Sequence, residues 1–398
     1  MDYLFSNRIS SLQPSAIREI LMATANTDVI PFSAGNPAPE AFPIDAVRAI
    51  SADIFANRPI QALQYGVTEG YEPLRQRVAA YMKQKHNVGR DFDSIMITSG
   101  AQQVMDLATK VLCNEEDTII CESPSFIGSL NCFRSYKCKL RGVDMEADGL
   151  CIEKLEAALK EEKKARFIYV IPNFQNPSGA TMSLAKRRAV YELAKKYGVL
   201  IVEDNPYGDL RVTGEDLPSI KSMDEDGIVI YAGSFSKILA PGVRVGYAIA
   251  PEQIIAKMTV GKQASDVHTT IFCQVLVDEW MGKYDFEAHI EKIKGIYRGK
   301  LNLMCDLIES ELGDFVCYNR PEGGLFVWCT LPDRVDMLDF CKAAVAHKVA
   351  IVPGTAFLVN EDEKTQAVRL NFSTPTDEKI VEGMKILGNV ANSYKKIL

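Results

Sequence analysis

The amino-acid sequence predicts an α/β protein with a mostly parallel sheet sandwiched by helices and a smaller α+β domain. Between about residues 94 and 250, short apolar runs alternate with segments of helical periodicity. The runs are nearly continuous in apolar residues, which is typical of parallel strands buried on both faces. After residue 285 this alternation ends, and a long helical stretch precedes shorter strand-like pieces.

Six apolar runs are the predicted strands of the main sheet. They are Ser94–Thr98, Thr118–Cys121, Phe167–Ile171, Val199–Val202, Ile228–Tyr231 and Val245–Ala250. Spacings of three and four residues predict a helix between the first two runs, on the residues Val104, Leu107, Ala108, Val111 and Leu112. The same spacing predicts a second helix over Val190, Leu193, Ala194 and Tyr197. Gly198 then follows, where a helix C-cap favours positive φ.

The C-terminal part has a different order of elements. Phe286 to Leu312 is a predicted long helix. It is followed by predicted strands at Leu325–Thr330, Ala350–Val352 and Ala367–Phe372, and by helices at Met337–His347 and Asp377–Tyr394. We therefore expect three parts: an N-terminal segment (1–45) that packs with the small domain, a large domain (46–280) and a small domain (281–398). The boundary between the large and the small domain falls in the helix-rich stretch 251–285.

Composition and charge exclude several classes of protein. The chain has 398 residues, of which 47% are apolar and 24% charged, as in an ordinary soluble protein. Its net charge is 45 − 52 = −7 without a basic stripe, so we expect no nucleic-acid partner. The longest basic cluster, 186–188, is expected on the solvent face of a helix. No apolar run approaches the roughly 18 residues of a membrane span, and Met1 to Ser10 resembles no export signal.

The cysteines and histidines give no sign of a metal centre. None of the ten cysteines forms a Cys-x-x-Cys pair, and none of the four histidines has zinc-ligand spacing. Several cysteines lie inside apolar runs, which is typical of reduced, buried thiols. We therefore expect a cytoplasmic protein without a metal site.

Polar residues follow the predicted strands, where ligands bind in open α/β sheets. Ser99-Gly100-Ala101-Gln102-Gln103 opens a helix after the first strand, and the free N–H groups of a helix N-terminus bind anions such as phosphate. An ordinary glycine turn is the alternative. Asn176 lies in the segment 172–179 after the third strand, where it offers an amide donor or simply forms a turn with the proline that follows it.

The next two strand ends carry an acid and a lysine. Asp204 and Tyr207 follow the fourth strand, and a buried acid there requires a cation or a proton unless it is only a turn residue. Lys237 follows the fifth strand beside Ser234 and Ser236, and Arg244 opens the sixth. Burial and a neighbouring cation lower the pKa of a lysine and so provide a nucleophilic amine, whereas a solvated lysine is the alternative.

Pyridoxal 5'-phosphate requires the set of groups that these segments supply together: a phosphate-binding turn, an amide, an acid, a phenol, a lysine and an arginine. The chain resembles the fold-type I pyridoxal-phosphate aminotransferases of class I/II, and within them the 2-aminoadipate/kynurenine and broad-specificity branch. The matching segments are 64–70, 99–103, 175–179, 204–207, 234–237, 241–244 and 368–370. The resemblance covers nearly the whole chain.

The resemblance implies a role for each matching residue. Lys237 would form the internal aldimine and move the proton, and Asp204 would keep the pyridine nitrogen protonated. Asn176 and Tyr207 would bind the ring's phenolic oxygen, and Phe126 would stack on the ring. The phosphate would be held by Gly100, Ala101, Gln102, Ser234, Ser236 and Arg244, and by Tyr65 from the other subunit of a homodimer. Arg369 would bind the substrate α-carboxylate with its bidentate fork.

Two positions depart from the family pattern, and the sequence does not identify the substrate. Ala101 replaces a hydroxyl residue of the phosphate loop, and Phe126 replaces a frequent tyrosine. Arg18, on an N-terminal helix in relatives, is either a ligand of a distal carboxylate or a surface arginine, and Gly35 borders the substrate in relatives. The resemblance implies dicarboxylate or aromatic amino donors with a 2-oxo acid acceptor such as 2-oxoglutarate.

Four other functions are alternatives to transamination. A β-lyase or a decarboxylase would use the same cofactor contacts. A transcription regulator with this fold would need an N-terminal winged helix of about 60–70 residues, whereas only about 30 residues precede Pro31 here. A nicotinamide dehydrogenase would need a Gly-x-Gly-x-x-Gly motif after a strand, and the sequence has none.

Overall fold

The computed structural model describes residues 3–10, 12, 29–360 and 363–396. The strands, in chain order, are β1 Ile30–Pro31, β2 Asp93–Thr98, β3 Thr118–Ser123, β4 Lys139–Glu146, β5 Gly149–Leu150, β6 Ala165–Val170, β7 Leu200–Asp204, β8 Val229–Ser234, β9 Gly246–Pro251, β10 Cys317–Tyr318, β11 Phe326–Thr330, β12 Val349–Ala350, β13 Val352–Pro353 and β14 Ala367–Asn371.

Thirteen α-helices accompany these strands in the described ranges. They are α1 Asn7–Ser10, α2 Ile44–Asn57, α3 Pro59–Leu63, α4 Glu72–His86, α5 Ala101–Leu112, α6 Ile127–Ser135, α7 Ile152–Glu161, α8 Leu184–Tyr197, α9 Glu252–Gln263, α10 Ile271–Lys283, α11 Phe286–Leu307, α12 Met337–Ala346 and α13 Asp377–Lys396. None of these helices combines the length and the apolar character needed to cross a bilayer.

An eight-stranded sheet forms the largest part of the molecule, in the order β2-β9-β8-β7-β6-β3-β4-β5. Its central strands are parallel, whereas β9 runs antiparallel to both of its neighbours, β2 and β8. Each of the six strands predicted from sequence is present within a few residues of its predicted bounds. The predicted mostly parallel α/β sheet is confirmed.

The core lies on both faces of this sheet because successive residues of a strand point to opposite sides. On β3, Ile119 packs into the cluster that includes α5, whereas its neighbour Ile120 packs with α7 and α8 on the other face. The predicted periodic helices are confirmed as α5 and α8, and Gly198 caps α8 with φ 68°. The burial of both faces explains the apolar runs of the central strands, whose charged side chains lie toward the strand ends.

Sequence reasoning missed β4, which lies between β3 and the short strand β5. Its sequence KLRGVDME contains one fully buried residue, Val143, and four exposed ones. A strand this close to the edge of a sheet does not need two apolar faces. It therefore has no continuous apolar run to mark it.

The basic cluster at 186–188 was predicted on the solvent face of a helix, and for its central residue this is wrong. Arg187 on α8 is fully buried. Its guanidinium donates to the carbonyl oxygens of Pro172 and Pro218 and to Asn173 Oδ1, at 3.0, 3.0 and 2.7 Å. The arginine thus satisfies loop carbonyls that would otherwise be buried without a donor.

A second, four-stranded sheet has the order β10-β11-β14-β13 and is antiparallel throughout. Helix α11 contains most of the predicted long helix and ends in a π-helical turn, Ile308–Leu312. The single strand predicted at 350–352 is wrong, because the chain leaves β12 at Ala350 and enters a different sheet as β13 at Val352. Strand β12 pairs with β1, so the segment at residues 30–31 is attached to this part of the chain. The three-part domain division stays a prediction.

Candidate active site

A cavity of about 440 Å³ lies at the carboxyl ends of β6, β7 and β8. Twelve of the residues predicted for the site line it: Gly35, Ala101, Gln102, Phe126, Asn176, Asp204, Tyr207, Ser234, Ser236, Lys237, Arg244 and Arg369. Gly100 directly precedes Ala101 at the same edge. Tyr65 does not line the cavity, and Arg18 lies outside the described residues.

One end of the cavity is suited to an anion. Helix α5 begins at Ala101, so the first N–H groups of the helix have no acceptor within it and face the cavity. Arg244 lies beside them and donates from Nη2 to Ser99 O at 3.1 Å and from Nη1 to Ser236 Oγ at 3.5 Å. Gly100 has φ 79°, and a Cβ there would lie 2.4 Å from Arg244 Nη2. Only glycine therefore fits this turn.

Lys237 lies in the turn that follows β8, and its side chain is almost fully desolvated. Its Nζ donates to Gly35 O at 2.8 Å. Burial lowers the pKa of this lysine to about 8, and the cations Arg369 and Arg244 contribute to the lowering. The lowered pKa increases the fraction of neutral amine near neutral pH, and this is the form that acts as a nucleophile.

Asp204 is the last residue of β7 and is buried in the wall of the cavity. Its Oδ2 accepts a hydrogen bond from the Tyr169 hydroxyl at 2.8 Å. Its Oδ1 is buried and has no hydrogen-bond partner among the described residues. Burial raises the pKa of this carboxyl to about 6, against the opposing effect of the Tyr169 bond. An unsatisfied buried carboxylate oxygen requires a donor, and a protonated ring nitrogen of a ligand would supply one.

Sequence reasoning missed Tyr169, which lies on β6 and is fully buried. Its hydroxyl accepts from Ser129 Oγ at 2.9 Å and donates to Asp204, so that Ser129, Tyr169 and Asp204 form a chain of hydrogen bonds. The one available signal was a tyrosine inside an apolar strand, since a buried phenol needs a partner. The identity of that partner depends on the register of β6 with its neighbours.

A second chain of hydrogen bonds joins Arg369, Asn176 and Tyr207. Arg369 Nη1 donates to Asn176 Oδ1 at 2.9 Å, and Asn176 Nδ2 donates to the Tyr207 oxygen at 3.4 Å. Burial raises the pKa of Tyr207 well above its usual value, so the phenol stays protonated. The three polar groups thus lie in a fixed order along one wall of the cavity.

The guanidinium of Arg369 is held in place by aromatic rings and by backbone oxygens. Its carbon lies 4.1 Å from the centre of the Phe326 ring and 4.9 Å from that of Phe357. Its Nη2 donates to Ser33 O at 2.9 Å, whereas Nε is buried with no partner among the described residues. Burial lowers the pKa of Arg369 to about 10, so that it is still a cation at neutral pH and suited to a carboxylate.

Tyr65 lies apart from the cavity, on the surface. Its side chain is 79% exposed, and its ring packs against the His268 ring at 5.6 Å. Exposed apolar side chains occur near Tyr65 in the sequence (Ile60, Leu63 and Val67) and next to His268 (Val267). A surface of this kind is typical of a protein–protein contact.

Away from the cavity, one group of potential metal ligands stands out among the described residues. Glu146, Cys151 and Glu153 place one ligand atom each within 4.8 Å of one another. Glu146 is already paired with Lys186, whose cation competes with any metal ion. Nothing at this group adds a second indication of a ligand.

Solved structures of aminotransferases share this fold over almost the whole chain. A kynurenine aminotransferase of Pyrococcus horikoshii, in complex with PMP and with KYN and KYA as substrate and product, has a TM-score of 0.94 and 36% identity. The match covers 98% of this chain and 97% of that one. LysN, an α-aminoadipate aminotransferase of Thermus thermophilus complexed with N-(5'-phosphopyridoxyl)-L-leucine, has a TM-score of 0.90 and 34% identity. That match covers 99% of this chain and 98% of LysN. The fold is that of the fold-type I aminotransferases.

The sequence comparison gives the same family. The family model described as "Aminotransferase class I and II" matches residues 27–387. An aromatic-amino-acid aminotransferase of Thermococcus litoralis is 40% identical over 100% of this chain and 96% of its own length. The chain therefore belongs to the class I and II aminotransferases, and the predicted reaction class, transamination, is confirmed.

Proposed function

We propose that the cavity binds pyridoxal 5'-phosphate and that the chain transfers the amino group of aromatic L-amino acids and of 2-aminoadipate to a 2-oxo acid such as 2-oxoglutarate. One observation carries the proposal: the desolvated amine of Lys237 and the unpartnered Oδ1 of Asp204 line one cavity with the N-terminus of α5. These groups match the aldehyde, the ring nitrogen and the phosphate of the cofactor. PMP and phosphopyridoxyl-leucine in the two related structures support this choice.

Each part of the cofactor has a partner in the cavity. The N–H groups of Ala101 and Gln102 hold the phosphate, together with Gly100, Ser234, Ser236 and the guanidinium of Arg244. Asp204 binds the ring nitrogen through Oδ1, and Asn176 and Tyr207 bind the phenolic oxygen. Phe126 is half-buried at the start of α6 and covers one face of the ring.

The cofactor, when bound, withdraws the electron pair that the donor amino acid leaves at its Cα. Lys237 Nζ would take the proton from Cα and deliver it to C4′ of the cofactor, because a lysine with a lowered pKa holds and releases a proton near neutral pH. The hydrogen bond from the Tyr169 hydroxyl favours the ionised form of Asp204. The ionised carboxylate in turn keeps a proton on the ring nitrogen.

The substrate is held at its carboxylate and at its side chain. Arg369 binds the α-carboxylate of the donor, using Nε and a terminal nitrogen as a fork. Phe326 and Met105 line the cavity with apolar surface, which favours an aromatic or long aliphatic donor side chain, and Gly35 leaves room beside them. Arg18 is proposed as the ligand of a distal carboxylate. The donors named for the related enzymes agree with these preferences.

The active enzyme is proposed to be a cytoplasmic homodimer with shared active sites. The support is Tyr65, which is 79% exposed within an apolar surface although its sequence motif matches the phosphate-binding tyrosine of the family. In a dimer this side chain enters the cavity of the partner subunit.

A panel of amino donors with 2-oxoglutarate tests the proposal. We expect glutamate to form from aromatic donors and 2-aminoadipate, and we expect the purified protein to be yellow. Lys237→Ala removes the visible absorbance and turnover, whereas the exposed-lysine control Lys342→Ala leaves both unchanged. Ammonia and pyruvate without glutamate would instead identify a β-lyase, and full turnover by Lys237→Ala would exclude this role for the lysine.

A further inference from the structure

Glu122 is a fully buried carboxyl group that the proposed reaction does not use. It lies near the carboxyl end of β3, behind the wall of the cavity. Its Oε2 accepts from the backbone N–H of Ile171 at 3.1 Å and from Gln175 Nε2 at 3.2 Å. Its Oε1 is buried and has no hydrogen-bond partner among the described residues.

Gln175 connects Glu122 to two loops of the cavity. Its Nε2 also donates to Pro124 O at 2.8 Å, two residues before the ring of Phe126. Its Oε1 accepts from the backbone N–H and the hydroxyl of Ser178, at 2.8 and 2.7 Å. Asn176 lies between Gln175 and Ser178 in the sequence. The Glu122–Gln175 pair therefore fixes the distance between the Phe126 loop and the Asn176 loop.

The surroundings of Glu122 favour a neutral carboxyl group. Titratable groups face it from each side: Asp204 from β7, Tyr169 from β6 and Cys121 from its own strand. All of these are acids, and Glu122 forms no ion pair with a described cation. Burial raises the pKa of Glu122 to about 8, and the charge of Asp204 adds to this, against the two hydrogen bonds that it accepts.

We propose that Glu122 is a positioning residue of the transamination site, which holds Phe126 and Asn176 on either side of the cofactor by binding Gln175 as a neutral acid. This proposal rests on the proposed function, since it concerns the two loops that would contact the cofactor. A protonated carboxyl group accepts through Oε2 as observed and leaves no second charge beside Asp204. A neutral amide has the same shape, so glutamine can replace it.

The first test compares Glu122→Ala with Glu122→Gln as purified holoenzymes. For Glu122→Ala we expect kcat to fall by about tenfold to a hundredfold, because the loops lose their spacing. We also expect a shifted visible absorbance band and faster loss of cofactor. Glu122→Gln restores most of the lost kcat and the wild-type band. The matched control is Glu203→Gln, which changes another fully buried carboxyl group. Glu203 binds the N–H groups of Ile220 and Lys221, away from the cavity. We expect the visible absorbance band of this variant to match that of the wild type.

The second test measures the unfolding of cofactor-free protein as a function of pH. Because the folded pKa of about 8 exceeds the reference value of 4.5, the contribution of Glu122 to stability is complete below pH 4.5 and is lost as the pH rises toward 8. The Tm of Glu122→Gln minus that of wild type should therefore rise over this range. This readout remains if Glu122→Ala does not fold.

The outcomes separate this proposal from the proposed function. If Glu122→Ala keeps the wild-type band and kcat, or if the Tm difference is independent of pH, the assignment of Glu122 is overturned while the function stands. If the wild-type protein itself neither takes up the cofactor nor forms glutamate, the proposed function fails. In that case the Tm measurement still decides the charge state of Glu122.

Discussion

Two side chains that line the cavity, Lys237 and Asp204, have pKa values shifted by desolvation. Desolvation disfavours the charged form of each group. It therefore lowers the pKa of Lys237 to about 8 and raises that of Asp204 to about 6. Shifts of this kind are typical of functional sites. Neither group has an ion-pair partner among the described residues, unlike the buried Lys221, which contacts Asp224 at 2.8 Å.

The first prediction concerns Tyr169. Replacing it by phenylalanine removes the hydrogen bond to Asp204, and because this bond lowers the pKa of the carboxyl, that pKa should rise above its present value of about 6. Less of Asp204 is then ionised at a given pH. We expect the acidic limb of the kcat–pH profile to move to higher pH and kcat at neutral pH to fall about tenfold.

The control for this change is Tyr191→Phe, which removes a buried phenol that binds Asp226 away from the cavity. Its profile should match that of the wild type. A Tyr169→Phe profile that coincides with the wild-type one would show that Asp204 does not depend on this bond.

The sequence predicted that Lys237, Asp204 and Asn176 lie at one edge of the sheet, where they line one cavity, but it did not predict the buried residues behind them. Lys237, Asp204 and Asn176 follow predicted strands, so their type and position indicated a common edge of the sheet. Tyr169 lies 35 residues before Asp204 and contacts it because β6 and β7 are neighbours. Such a contact depends on strand register, which the sequence of one strand does not contain.

At the scale of elements, the end of the cavity at the N-terminus of α5 depends on how closely β9 approaches that helix. Strand β9 is antiparallel between β2 and β8, and its first residue, Gly246, pairs with both Thr98 and Ser234. A Cβ on Gly246 would lie 2.7 Å from the carbonyl carbon of Gly100 and 2.8 Å from Ala101 N. Both are backbone atoms of the turn that starts α5, so they have little freedom to move.

The second prediction is therefore that Gly246→Ala displaces the N-terminus of α5. We expect the dissociation constant of pyridoxal 5'-phosphate to rise about tenfold or more, and the free energy of unfolding to fall by about 1–3 kcal/mol because of overpacking. Absorbance titration and denaturant unfolding measure the two effects. Gly242→Ala is the control, since a Cβ there meets no atom within 4 Å. Equal affinities for the two variants would contradict this role of Gly246.

Element order along the chain was predictable here, but the neighbours of each element were not. The apolar run at residues 245–250 predicted the strand β9, yet nothing in it indicated that β9 would lie antiparallel beside β2. In the same way, the apolar residues at 350–352 predicted one strand, whereas the chain turns there between two sheets. The periodicity of apolar residues indicates which residues are buried. A strand is buried in the same way whether its neighbour is parallel or antiparallel, so the pattern does not identify the neighbour.

At the scale of the whole molecule, the cavity is assembled from parts of the chain that are far apart in sequence. Lys237 Nζ binds Gly35 O across 202 residues, and Arg369 binds Ser33 O across 336. The N-terminal segment thus joins β14 to the turn after β8. Contacts at this range are set by the packing of complete sheets, which explains why the neighbours of Gly35 could not be predicted from its motif.

The third prediction follows from Tyr65, whose exposed ring does not line the cavity of its own chain. Tyr65→Ala and Lys237→Ala homodimers should each have little activity. After the two are unfolded together and refolded, half of the dimers are mixed and each mixed dimer has one intact site, so about a quarter of wild-type activity should return. Activity that stays at the level of the separate variants would show that the sites are not shared.

Locating the covalent attachment of the cofactor tests the proposed role of Lys237. Reduction of the yellow holoenzyme with borohydride, followed by proteolysis and mass spectrometry, should place the phosphopyridoxyl group on Lys237. Buried Lys221 and Lys262 serve as internal comparisons, because both are engaged by carboxylates. A label on either of these lysines, or no label on Lys237, would exclude Lys237 as the residue that binds the cofactor.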